Sequence, residues 1–98
     1  MKTAALIERI KDHADAIRAA GVTRMYIFGS RVRGDAKLDS DLDAFIDFDS
    51  TRKFSLVDLV NVERLLEREL GLRVDLTTRN SLNPRMRSRV EAEAIRVL

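Results

Sequence analysis

Between Asp41 and Asp49 apolar and acidic residues alternate: Leu42, Ala44, Ile46 and Phe48 on one side, Asp41, Asp43, Phe45, Asp47 and Asp49 on the other. Side chains of an extended strand point to opposite faces with period two, so one side of this stretch should meet a core and the other a wet, acidic surface. Two further stretches read as strands beside it. Thr23 to Phe28 is rich in strand formers and lacks polar alternation, which predicts a central strand. In Leu72 to Thr77, Val74 and Leu76 alternate with Arg73, Asp75 and Thr77, so Asp75 again lies opposite an apolar face.

Helical spacing accounts for most of the rest. Leu6, Ile7, Ile10, Ala14 and Ile17 predict one amphipathic helix from Thr3 to Ala20, closed by Gly21. Ser55 opens another with Asp58 as a capping-box-like partner; Leu56, Leu59, Val60, Leu66 and Leu70 supply its stripe, and Gly71 ends it. Asn83-Pro84 is a cap followed by proline at the first helical position, after which Met86, Val90, Ala94 and Val97 form a narrow stripe. Ser30 stands where a helix N-cap would, ahead of a turn or two from Arg31 to Asp35. The order predicts a two-layer α/β domain spanning 1–98: a small mixed sheet of three or four strands, helices over one face, the opposite face open.

Composition narrows the chemistry. Without cysteine, disulfides and thiolate zinc are excluded, and a single histidine argues against a histidine-based metal site; a metal here should be a hard cation on carboxylates. The net charge of +2 hides six aspartates against one lysine over 35–49, and five arginines against two glutamates over 79–96. The basic tail reads as a solvated face, and with so few aromatics no direct nucleic-acid binding is expected. No apolar run approaches a membrane span or a signal-peptide core, which predicts a cytoplasmic protein.

The stretch Gly29-Ser30-Arg31-Val32-Arg33-Gly34, followed by Ser40-Asp41-Leu42-Asp43, carries the chemistry. Glycine lets backbone approach a phosphate, Ser30 offers its hydroxyl and N–H, and Arg31 or Arg33 could pair with phosphate oxygens. Asp41 and Asp43 share a strand face; if the strand bearing Asp75 is adjacent, three carboxylates converge, and such clustering calls for a cation. Each piece also has a plain reading: exposed strand-face acids, a turn with a helix cap, Arg33 bridging Asp35 or Asp39. Their joint occurrence favours the functional one. Two Mg²⁺ ions clamping a triphosphate and an attacking hydroxyl are a known solution for displacement at phosphorus.

These motifs, with Val74-Asp75-Leu76 and the Leu82-Asn83-Pro84 lead into the last helix, resemble the DNA polymerase beta-like nucleotidyltransferase superfamily, and more narrowly its minimal nucleotidyltransferases. The resemblance covers almost the whole chain. It implies that Asp41 and Asp43 bind both metals, that Asp75 positions the catalytic metal and activates the acceptor, and that Gly29 and Ser30 hold the β- and γ-phosphates. It further implies an antitoxin that transfers AMP from ATP to a tyrosine of a HEPN-type ribonuclease toxin. Masking of that toxin without catalysis, and transfer to a small molecule, are the alternatives. An open sheet gives a nucleotide only half a pocket, which also favours a partner chain, and a homo-oligomer stays open. Val57, Val62 and Ile95 fall off the main stripes and are candidates for that contact or for extra core. His13 is expected to face solvent, and Tyr26 to pack at an edge or end of the sheet.

Overall fold

The computed structural model describes residues 2–37 and 40–98. Strands β1 (Val22–Phe28), β2 (Leu42–Phe48), β3 (Val74–Thr78) and β4 (Ile95–Arg96) form one mixed sheet in the order β3-β2-β1-β4. β2 runs antiparallel to β1 and parallel to β3, with helix α4 (Leu56–Leu70) as the crossover that parallel pairing requires. The α/β class, the three strands and the fourth left open by the sequence are all present.

The main core lies under one sheet face. Met25, Ile27, Leu42, Ala44, Ile46, Val74 and Leu76 meet α4 and the two N-terminal helices, α1 (Thr3–Asp12) and α2 (Ala14–Ala19). The single N-terminal helix expected from the sequence is divided at His13, whose N–H closes a tighter turn on the Ile10 carbonyl. Ile10 and Ile17, one on each side of the break, still reach the same core. The imidazole Nε2 lies 3.4 Å from Glu69 Oε2, a contact between helices.

Helix α4 starts as its sequence predicts. The Ser55 hydroxyl accepts from the Asp58 N–H while the Asp58 carboxylate accepts from the Ser55 N–H at 2.8 Å. Its buried stripe is shifted, however: Val62, Leu66 and Leu70 are buried, whereas Leu56 is 74% exposed. Val62 is therefore core and not a spare contact; Val57 and Ile95 do remain exposed. From the same helix Glu67 and Glu63 accept from the Val74 and Leu76 N–H groups, both at 3.0 Å. β3 is an edge strand, and these carboxylates occupy donors that an edge would otherwise offer to another chain.

The second sheet face departs from the expectation of an open, wet surface. Helix α5 (Pro84–Glu93) covers part of it, seating Val90 with Leu82 on Phe45, and Tyr26, Phe28 and Ala94 pack around them. Phe45 is as buried as Ile46 on the other side. Tyr26 belongs to an interior strand, where it stacks on Phe45 with ring centroids 4.8 Å apart. The Arg79 guanidinium lies 4.9 Å from both ring centroids and grips Asp47 through two bonds of 2.8 and 3.0 Å. Asp47 is thus a structural partner on this face.

Asn83 caps α5 through Oδ1, which accepts from the Arg85 N–H, with proline in the first turn as expected. The helix stops at Glu93 instead of continuing to Val97, because Ile95 and Arg96 turn back to pair with Ile27 and Tyr26. Among the described residues no helix is long and apolar enough to cross a membrane.

Candidate active site

Strand register brings the motif residues to one end of the sheet. Phe28 is paired with Asp43 across β1 and β2, and Asp43 with Asp75 across β2 and β3. Since Leu42, Ala44, Val74 and Leu76 belong to the core, Asp43 and Asp75 stand side by side on the opposite face. Gly29, the residue after Phe28, begins its turn beside this pair. Asp41 lies just outside β2, where the Leu42 N–H donates to the Arg73 carbonyl at 2.8 Å.

Gly29 is required twice over. Its φ of 83° lies in the left-handed region, and a Cβ there would collide with Asp43 Oδ2. The residue at the N-cap position is Gly29; Ser30 is the first residue of the short helix α3 (Ser30–Arg33), one place later than its sequence suggests. Two contacts staple the turn from outside. Thr3 Oγ1 donates to the Arg31 carbonyl at 3.0 Å, and the Arg31 guanidinium donates to the Ser40 carbonyl at 3.1 and 2.7 Å. Arg31 therefore ties the loop toward β2. Arg33 pairs with Asp35 at 3.4 Å and with Glu93 at 3.3 Å, and these acids, Asp35 foremost, hold its guanidinium above its ordinary range. Asp39, its other suggested partner, lies outside the described residues.

The acids at this end of the sheet crowd one another. Burial, followed by repulsion from Asp75 and Asp41, pushes the Asp43 carboxyl above its usual range; Glu93 adds to the effect and Arg33 opposes it. Yet among the described residues no three acidic or histidine side chains come together as a metal-holding set. Asp41 faces Arg73 instead, 3.7 Å away. That arginine is highly exposed, so a bound cation could replace it by simple rotation of its side chain. The donor chemistry suits Mg²⁺, which takes carboxylate oxygens.

Between the turn and α5 lies a cleft of about 240 Å³ lined by Phe28, Gly29, Arg33, Asp43, Arg89 and Glu93. Typical ligand sites occupy roughly 300–1,000 Å³, so the cleft encloses part of a nucleotide at most. Sequence reading had no place for Glu93. A signal existed, since Glu93 lies three residues beyond Val90, on the same helical face that meets the sheet.

A glycine-serine turn thus abuts paired strand acids, and similarity supplies the class: enzymes that transfer nucleotidyl groups. The nucleotidyltransferase domain family model matches residues 7–97, and the chain belongs to that family. Within it, the chain resembles the protein adenylyltransferase MntA of Thermococcus cleftensis, with 43% identity over 77 residues, 79% of this chain and 76% of the relative. A solved structure provisionally described as a minimal nucleotidyltransferase is 34% identical, with a TM-score of 0.73 over 97% of this chain and 95% of that one. The fold is shared too by an AMPylated Shewanella oneidensis HEPN toxin–MNT antitoxin structure: TM-score 0.67, 15% identity, 95% of this chain and 71% of that one. The enzyme class is thus that of AMP-transferring nucleotidyltransferases.

Proposed function

We propose that this chain is a self-contained transferase domain that moves AMP from ATP onto a tyrosine hydroxyl of a HEPN-type toxin and thereby acts as its antitoxin in the cytoplasm. The observation that carries the reading is the Asp43–Asp75 pair on neighbouring strands, set against a turn in which only glycine fits. The relatives' protein adenylyltransferase names support a protein as the acceptor, and the toxin–antitoxin neighbour supports a HEPN-type partner.

In this scheme Gly29 lets the triphosphate approach the backbone, Ser30 holds it, and Asp41, Asp43 and Asp75 would hold one or two Mg²⁺ ions. Bound Mg²⁺ supplies charge neutralisation on the phosphates and lowers the cost of the crowded carboxylates. The acceptor oxygen attacks the α-phosphorus, the bond from that phosphorus to the bridging oxygen breaks, and pyrophosphate leaves. The acceptor proton passes to the Asp75 carboxylate, which is solvent-exposed and so returns it to water. The small cleft leaves the acceptor side for the partner to enclose.

The pairing of Asp41 with Arg73 favours a second reading in which the chain neutralises its partner by binding alone. Mass spectrometry of the partner after incubation with ATP and Mg²⁺ separates the two. Added AMP units, absent with Asp41→Ala or Asp43→Ala, support transfer. A neutralised partner of unchanged mass refutes it.

A further inference from the structure

We propose that Glu93 is a positioning residue that fixes the Gly29 peptide and Arg33 so that the turn presents its remaining groups to the phosphates of the nucleotide; this rests on the reading of the site given above. One carboxylate oxygen, Glu93 Oε1, accepts from the Gly29 N–H at 3.1 Å and from Arg33 Nη1 at 3.3 Å. The partners are 64 and 60 residues away in sequence, so only the docking of α5 brings them together. Helix α3 has four residues, too few to hold itself in shape, and is kept in place by contacts from outside. Thr3 holds its middle, Arg31 ties it to Ser40, and Glu93 holds the N–H of the Gly29 N-cap and the side chain of Arg33, its last residue.

The opposite possibility is a plug, a carboxylate occupying a donor that phosphate would otherwise use. The backbone argues against it. Val90, three residues before Glu93, is buried on Phe45, and Ile95, two residues after, is paired with Ile27 of β1. With its main chain clamped on both sides Glu93 cannot leave with its helix, and turning its side chain away would also break the bond to Arg33.

Three variants test the assignment with Mg²⁺ and AMP-PNP as the probe. Glu93→Ala is expected to weaken AMP-PNP binding roughly tenfold, the size of one lost charge-assisted hydrogen bond. KM for ATP should rise in parallel while kcat changes little. Glu93→Gln retains an oxygen for the Gly29 N–H and is expected to restore most of the affinity. Hydrogen exchange at the Gly29 amide, slow in the wild type and in Glu93→Gln, should be fast in Glu93→Ala. Should the alanine variant fail to fold, Glu93→Asp, one methylene too short to reach, gives the same contrast. Unchanged or tighter AMP-PNP binding in Glu93→Ala, or equal Gly29 exchange in all forms, overturns the proposal. If the wild type binds no AMP-PNP, the nucleotidyltransferase reading fails, while Gly29 exchange still decides whether Glu93 holds the turn.

Discussion

Truncating Phe45 to alanine should be as damaging as truncating its neighbour Ile46, although the two side chains point to opposite faces of β2. Both are essentially inaccessible to solvent, Phe45 at 1% and Ile46 at 0%. Removing a buried phenyl ring costs about 3–5 kcal/mol, and Ile→Ala about 2–5 kcal/mol. Phe45 also stacks on Tyr26 and lies under Arg79, and each such contact contributes about 0.5–1.5 kcal/mol, part of which is already counted in the truncation. Against a total stability of roughly 5–15 kcal/mol for a chain of this size, either variant is severely destabilised. At about 4–8 °C per kcal/mol, Phe45→Ala should lower Tm by roughly 12–40 °C. Thermal melts and urea titrations followed by circular dichroism measure this, with Leu56→Ala as the exposed control, expected within about 0.5 kcal/mol of wild type. A loss under about 1 kcal/mol for Phe45→Ala, beside several for Ile46→Ala, would mean that α5 does not build a second core and that Glu93 has no firm base.

Other outcomes follow from the same geometry. Asp43→Asn should abolish AMP transfer to the partner while leaving the metal-free protein at least as stable as wild type, since it removes a carboxylate repelled by Asp75 and Asp41; a clear fall in Tm would contradict this. Gly29→Ala should eliminate AMP-PNP binding, because neither its φ nor the space beside Asp43 accepts a side chain; calorimetric titration checks it. Ser55→Ala should cost about 1 kcal/mol in urea denaturation by opening the N-terminal cap of α4. Asp58 has its folded-state pKa held below 3.8, chiefly by the Ser55 N–H. Its contribution is therefore complete above that value and lost as pH falls through the lower folded one, so wild type and Asp58→Ala should converge in Tm in strong acid.

Much of the site was legible because strand parity is a local property. Alternation about Asp43 and Asp75 placed both acids opposite apolar neighbours, and the register of β2 and β3 sets them side by side. Local capping chemistry was equally readable: Ser55 with Asp58, Asn83 with Pro84, and Gly71 at the end of α4. The stripe of α4 was displaced because Leu56 has the right spacing but only its neighbours further along meet the sheet. Arg31 and Arg33 were interchangeable in the sequence; the structure gives one to the Ser40 carbonyl and the other to Asp35 and Glu93.

The chain alone determined its first three strands, the ends of α4, the start of α5 and the acids that face away from the core, since these depend on periods of two and 3.6 residues and on caps a few positions apart. Tertiary structure decided what covers the second sheet face, where Asp41 turns, and which carboxylate reaches Gly29. Those contacts join residues up to 64 positions apart, and no local period encodes where a helix such as α5 docks.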